Sequence, residues 1–357
     1  MGLDELRQQI DAFDEQIVAL LNRRAEVVVE VGRLKNSTGV EPIYAPDREK
    51  AVLDRIEAAN RGPLSNESLR AIYRELMSGS FALEKPLCIA YLGPEGSYSH
   101  LAATGKFGAS VTYEAVQDIR GVFEEVARRR VDFGMVPVEN STGGGVIDTL
   151  DAFVETDVNV CAEFQIIIHH NLLARGPLEQ ITEVYSKPEV FTQCQRWLAE
   201  TGLAGKTIAV ASSAKAAELA AGKPHAAAIG SALAAKQYGL EILRADIEDR
   251  TNNVTRFFVI GRNIPKPTGS DKTAIMFTVT NRAGALVDVL NAFLNEKTNL
   301  TMITSRPSQI RNWEYYFFLD TDGHVQDEPL RRAVEAAREQ CLQLRVLGSF
   351  PAATEPS

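Results

Sequence analysis

The first thirty-five residues carry a helical seam with a single charge in it. Taken in sevens, one seam position reads Leu3, Ile10, Ile17, Arg24, Val31 and the other reads Leu6, Phe13, Leu20, Val27, Leu34. All but Arg24 are apolar, as a packed helix seam requires. A helix of this length spans on the order of 50 Å. Two shorter helices of the same chain leave much of it uncovered, so the pattern predicts an intertwined homodimer, alone or within a higher homo-oligomer. Arg24 loses water in such a seam and needs an anion. No acid lies in the seam to serve. A lone polar seam residue can simply fix register; a bound anionic ligand is the competing reading. Lys35, eleven residues on, returns to nearly the face of Arg24, whereas Arg7, seventeen back, lies roughly 100° away. Arg7 therefore addresses a different partner, such as a site on another subunit.

The rest of the composition narrows the class. At 357 residues the chain is long enough for two or three domains. A net charge of −9 argues against a nucleic-acid binder. Cys88, Cys161, Cys194 and Cys341 are scattered with no CxxC pair, which disfavours a zinc site or a disulfide scaffold and suits a cytoplasmic location. The charged, amphipathic opening reads as a helix and not as a signal peptide. No apolar run reaches membrane-spanning length, so no membrane partner is expected.

Three segments follow from the punctuation. Residues 1–85 read as all-α: a helix from Leu3 to Lys35 stopping near Asn36–Gly39, a second from Pro46–Asp47 to Asn60 with Asp47 as a cap, and a third from Glu67 to Glu84 capped by Ser65 or Asn66. Pro86 marks a boundary. Residues 87–263 alternate strands (Leu87–Leu92, Asp132–Val138, Gln165–His170, Thr207–Ala211, Phe257–Ile260) with alanine-rich helices (Ala214–Ala221, Ser231–Tyr238). This is α/β architecture, with ligands expected at the carboxyl ends of strands. Ile264–Ser270 reads as a linker. Residues 271–350 then run strand (Thr273–Thr280), helix (Ala285–Asn295), strand (Leu300–Arg306), strand (Tyr315–Asp320), helix (Glu328–Gln340), strand (Leu344–Gly348), a ferredoxin-like α+β order.

Motifs sit at the joints of these elements. Gly93-Pro94-Glu95-Gly96-Ser97-Tyr98-Ser99-His100 follows the first strand of the middle segment. Glu139-Asn140-Ser141 follows the second and precedes Thr142-Gly143-Gly144-Gly145, a turn whose amides can approach an anion. Thr255-Arg256-Phe257 opens a later strand and, taken alone, is ordinary strand sequence. His169-His170 on a strand would point to opposite faces, so a core or surface role outweighs metal binding. Trp197 and Trp313 read as packing residues. Ser212 and Ser213 open a helix and are as readily caps as ligands.

With these motifs the chain resembles, over nearly its whole length, the bifunctional chorismate mutase–prephenate dehydratase family. The C-terminal segment, with Gly284-Ala285-Leu286 and Ser305-Arg306-Pro307, resembles an ACT regulatory domain. The resemblance implies a helical mutase domain, a two-lobed periplasmic-binding-protein-like dehydratase domain and the ferredoxin-like ACT domain. It also implies isomerase and carbon–oxygen lyase activities of phenylalanine biosynthesis. On the mutase side it maps Arg7, Arg24, Lys35, Arg48, Glu49, Ser80 and Glu84 onto the substrate site, with Arg7 reaching the partner's site. An aspartate that some members carry before Arg48-Glu49 is absent, with Tyr44 and Ala45 in that region. On the dehydratase side it maps Ser97, Tyr98, Glu139, Asn140, Ser141, Ser186, Gln193, Thr255, Arg256 and Phe257 onto the cleft, with Lys187 where histidine is common.

The implied chemistry needs no metal and no cofactor. Chorismate to prephenate is an intramolecular rearrangement that requires a compact dicarboxylate and positive charge at the breaking ether oxygen. Arginine forks suit the two carboxylates, assigning Arg7 and Arg24, with Arg48 assisting. Lys35 and Glu84 then face the ether oxygen and Glu49 the ring hydroxyl. Glutamate donates a hydrogen bond only when protonated, so the mutase rate is expected to fall as Glu84 titrates. Prephenate to phenylpyruvate expels carbon dioxide and a poor leaving group, hydroxide, which needs a donor. The resemblance gives that role to Thr255, acting by hydrogen bonding or within a proton relay. It further implies phenylalanine as effector at Gly284, Ala285, Leu286, Ser305, Arg306 and Pro307, although Thr304 stands where glutamate is usual. Two rivals remain at this point: a dehydratase with a decayed mutase segment, and a non-catalytic amino-acid sensor.

Overall fold

The computed structural model describes residues 2–38, 43–308 and 315–353. Gly39 and Trp313 lie outside them. The N-terminal helices are α1 (Leu3–Thr38), α2 (Pro46–Ala59) and α3 (Asn66–Glu84). The next elements are β1 (Cys88–Leu92), α4 (Tyr98–Phe107), β2 (Thr112–Val116), α5 (Ile119–Ala127), β3 (Phe133–Asn140), β4 (Gly144–Gly145), α6 (Ile147–Glu155), β5 (Asn159–Ile167) and β6 (Asn171–Ala174). Then come β7 (Glu183–Ser186), α7 (Pro188–Gln193), α8 (Gln195–Glu200), β8 (Thr207–Ala209), α9 (Ser213–Ala221), β9 (Ala226–Gly230), α10 (Ala232–Tyr238), β10 (Glu241–Arg244) and β11 (Val254–Gly261). The chain closes with β12 (Asp271–Thr278), α11 (Ala285–Asn295), β13 (Leu300–Pro307), β14 (Tyr315–Asp322), α12 (Glu328–Gln340) and β15 (Gln343–Pro351).

Two compact units result: Met1–Ala45 with Val52–Leu87 and Phe107–Thr112, and Pro46–Ala51 with Cys88–Lys106 and Tyr113–Ser357. In the first, α1 runs about 54 Å and packs on α3. The Ser65 hydroxyl caps α3 by accepting from Ser68 N at 3.1 Å, a contact worth about 1 kcal/mol. Asp47 does not cap α2. Pro46 occupies its first turn and Ala45 the cap position, without a side-chain bond; proline's fixed φ suits that first turn. Tyr44 is buried edge-on against Phe81 and Phe107 and serves packing.

The second unit holds three sheets. The first has strand order β2-β1-β3-β11-β5, with β4 paired to β3. The second is β10-β6-β9-β7-β8 and the third β13-β14-β12-β15. The first two sheets form the two lobes. The expected continuous strand Gln165–His170 is in fact β5 and β6 separated at residues 168–170. One chain thus leaves the first lobe and enters the second, and the two histidines fall in the crossing. The third sheet has the predicted βαββαβ order. An apolar cluster joins it to the first lobe: Leu150 and Phe153 of α6 pack with Phe318, Leu347 and Phe350. Gly348 on β15 has no room for a side chain, because a Cβ there would collide with the Val160 carbonyl of β5. Trp197 packs partly buried against the second lobe's core.

Candidate active sites

In the helical unit a glycine sets the geometry. A Cβ on Gly32 would meet the Glu84 backbone at 3.2 Å, so glycine is what lets α1 and α3 approach there. One turn on, Lys35 Nζ donates to Glu84 Oε2 at 3.1 Å, with side chains only 19% and 10% exposed. Arg24 Nη1 donates to Ser80 Oγ at 2.7 Å, and Ser80 Oγ donates to Leu76 O at 2.7 Å. Arg24, Lys35, Ser80 and Glu84 are therefore brought together on the facing sides of two helices, Ser80 and Glu84 by their i,i+4 spacing. The seam arginine has a hydroxyl, not an acid, as its partner, which leaves its charge uncompensated by Ser80. Arg7 is exposed and 3.4 Å from Asp4. Arg48 is exposed as well. Arg48 and Glu49, however, group with the second unit, where Glu49 accepts from Lys106 Nζ at 2.8 Å.

In the lobed unit, Thr255 and Asn140 lie opposite each other in the β11–β3 ladder. Asn140 Nδ2 donates to Thr255 Oγ1 at 2.8 Å and to Asn253 Oδ1 at 2.8 Å. Asn140 Oδ1 accepts from the amides of Thr142 and Gly143 and from Thr142 Oγ1. With Asn140's amide fixed in this way, Thr255 Oγ1 is an acceptor toward Asn140, and its own O–H is left to donate elsewhere. The network continues across the lobes. Gln193 Oε1 accepts from Asn253 Nδ2 at 3.3 Å and from His170 Nε2 at 2.7 Å, and Gln193 Nε2 donates to Thr142 Oγ1 at 3.1 Å. Tyr98 Oη lies 2.8 Å from His170 Nδ1 and 2.8 Å from the His169 carbonyl.

Burial pushes the His170 pKa below the ordinary histidine range, against Gln193 and Glu248, which raise it. Burial likewise holds the Tyr98 phenol well above its usual value. Both are neutral hydrogen-bonding groups. His169 turns away toward Glu248 and Asp246, at 2.9 and 3.2 Å. The two histidines diverge as expected: His169 is exposed, and His170 is buried, where it bonds to Tyr98 and Gln193. Asn253, Thr142 and His170 are the residues that sequence reasoning missed.

Several expected cleft residues are committed elsewhere. Ser97 Oγ donates to Leu92 O and accepts from His100 N, so it is a helix cap. Ser141 Oγ donates to Asn252 O and accepts from Val254 N, pinning the start of β11. Ser186 is fully buried and donates to Ile229 O. Phe257 is core. Arg256 faces the third sheet: Nε donates to Glu163 at 2.6 Å and Nη1 to Asp320 at 2.5 Å, with Glu139 at 4.0 Å. Glu139 is half exposed. Lys187 sits 3.9 Å from Glu189 on the surface. Ser212 and Ser213 lie at the start of α9, where Ser212 is the cap.

In the third sheet region, Gly284 adopts φ +83° and begins α11, a left-handed position that suits glycine. Ala285 is buried and Leu286 packs on the local core. Ser305 and Pro307 are exposed on edge strand β13. Arg306 is engaged by a carboxylate of the first lobe: Nε and Nη2 donate to Asp151 Oδ1 and Oδ2, both at 2.8 Å.

Three family models match the chain in order: chorismate mutase type II over residues 6–85, prephenate dehydratase over 89–265 and the ACT domain over 273–339. A bifunctional chorismate mutase/prephenate dehydratase of Aquifex aeolicus is 42% identical over 356 residues, 98% of each chain. Prephenate dehydratase of Arthrobacter aurescens, solved in complex with L-Phe, superposes with TM-score 0.70 at 30% identity, covering 76% of this chain and 92% of that one. GqqA, described as a novel type of quorum-quenching acylase, also superposes with TM-score 0.70, at 29% identity, covering 74% of this chain and 98% of its own. That last chain shows that this fold hosts more than one described activity, so activity must be argued from the site. The full-length match, the three family models in order and the two polar constellations together place this chain in the bifunctional chorismate mutase/prephenate dehydratase family.

Proposed function

We propose that the two activities map onto the two constellations above, within domains at 1–85, 87–263 and 271–350. The observation that carries the mutase reading is the cationic pair Arg24 and Lys35 beside Ser80 and Glu84. Arg24 binds one carboxylate of chorismate; Arg7 of a second copy supplies another fork, and Arg48 assists. Lys35 and Glu84 face the ether oxygen, and Glu49 faces the ring hydroxyl. Lys35 donates to Glu84, and substrate inserts between the two groups. The Glu84→Gln variant keeps a donor at every pH. Its mutase rate is expected to vary less with pH than that of the parent, measured as chorismate loss over a pH series. An unchanged profile would overturn the role given to Glu84.

The observation that carries the dehydratase reading is Thr255 Oγ1 accepting from Asn140, which leaves its O–H to donate to the leaving hydroxyl. Asn140, Gln193 and Tyr98, with Asn253, Thr142 and His170, hold this arrangement and join the lobes by hydrogen bonds. Thr255 stabilises the departing hydroxide by hydrogen bonding or passes it a proton within a relay, since threonine is itself a very weak acid.

The working molecule is a homodimer or a higher homo-oligomer in the cytoplasm. All nine apolar seam residues of α1 are exposed in the single chain, from 39% at Val31 to 66% at Leu34. Such a stripe calls for a partner. A Leu20→Glu substitution, at a position 60% exposed, is expected to halve the sedimenting mass. It should also suppress chorismate loss while prephenate turnover persists. A parent chain that is already monomeric at micromolar concentration would defeat this reading.

Phenylalanine acts as feedback effector through the ACT domain, in line with the L-Phe complex of the Arthrobacter relative. Titration with phenylalanine should lower the dehydratase rate and raise thermal stability. If it changes neither, the effector role falls.

A further inference from the structure

Arg306 belongs to a motif that the resemblance assigns to effector binding, yet its guanidinium is occupied. It forms a two-point fork with Asp151, at the middle of α6, the strongest common geometry for such a pair. A second arginine of the same sheet grips the end of that helix. Arg345 Nη1 donates to Phe153 O at 3.0 Å and Thr156 O at 2.6 Å, and Nη2 to Val158 O at 2.7 Å. Phe153 O is a carbonyl the helix end leaves open, and Thr156 O and Val158 O follow it in the chain. The beginning of α6 is tied to the catalytic strand instead. Val146 N donates to Val138 O at 2.8 Å and Thr149 Oγ1 to Pro137 O at 2.5 Å. Gly145 and Gly144 pair with Glu139 and Asn140. Asn140 in turn holds Thr255.

We propose that Arg306 and Asp151 are positioning residues that couple the third sheet to the dehydratase cleft, with α6 as the transmitting element. A displacement of β13 pulls Asp151, moves α6 along its axis, and shifts Gly144–Gly145 and with them Asn140. The phenylalanine arm of this inference rests on the effector reading above; the positional arm does not.

The test compares the full-length parent with Arg306→Gln and with the swapped double variant Asp151→Arg/Arg306→Asp. Prephenate kcat/KM is measured with and without saturating phenylalanine, and phenylalanine binding is measured by calorimetry. The ratio of kcat/KM without and with effector should fall toward one by about tenfold in Arg306→Gln, within the usual span of coupling energies. Phenylalanine affinity should change by less than about threefold, and the swapped pair should recover much of the ratio. Loss of phenylalanine binding in Arg306→Gln would make Arg306 a ligand and overturn the proposal. A full ratio in that variant would overturn it equally. If the parent itself neither binds nor responds to phenylalanine, the effector reading fails alone. Effector-free prephenate KM then decides the coupling: a shift of about threefold or more in Arg306→Gln, reversed in the swap, supports it, and an unchanged KM overturns it.

Discussion

Thr255→Ala stops phenylpyruvate formation from prephenate, with a loss of at least about 10²-fold, while chorismate disappears at the parental rate. The reason is geometric. Asn140 places its amide hydrogens on Thr255 Oγ1 and Asn253 Oδ1, so the threonine hydroxyl is the donor left over at this point of the cleft. Removing it also leaves Asn140 Nδ2 with Asn253 Oδ1 and only the longer contact to Val254 O at 3.4 Å. Thr255→Ser retains the hydroxyl and should keep much of the rate. Thr255→Val retains the shape without the donor and should be as slow as alanine. Phenylpyruvate release measured for the three variants separates a donor role from a packing role. Equal rates in the valine and parental chains would remove Thr255 from the mechanism.

Arg24→Ala produces the opposite split. Chorismate loss falls by about 10²–10³-fold, the scale of removing one partner of a desolvated charge pair, and prephenate turnover is unaffected. Arg24 donates to Ser80, and a neutral hydroxyl does not cancel its charge, so a substrate carboxylate gains the full interaction. Arg24→Lys should rescue poorly, because an ammonium replaces a two-point fork with a single point charge. Parallel assays with chorismate and with prephenate read this directly. A parental mutase rate in Arg24→Ala would transfer the carboxylate to other cations.

The periodic and punctuated parts of the chain were legible without coordinates. The seam of α1 announced both the helix and its exposed face. Ser65 announced its cap, and the βαββαβ order of the last segment followed from alternation alone. What escaped was created by pairing across distance. Asn253 meets Asn140 113 residues away, and His170 meets Gln193 only because the chain breaks between β5 and β6 to change lobes. Neither fact leaves a local pattern. Thr255-Arg256-Phe257 shows the converse. Its three residues are contiguous in sequence, but strand alternation sends Thr255 to the cleft and Arg256 to Glu163 and Asp320. The motif therefore holds both a chemical group and a structural one. Arg306 belongs to the same class: the resemblance located it, and only the fold revealed Asp151 as its partner.

The most direct measurement gives the purified chain chorismate in one cuvette and prephenate in another, following chorismate loss and phenylpyruvate formation together. The account predicts phenylpyruvate from both, with a lag in the chorismate sample while prephenate forms. Phenylpyruvate from prephenate alone would contradict the mutase assignment of Arg24, Lys35 and Glu84. Phenylpyruvate from neither would contradict the assignment of both sites.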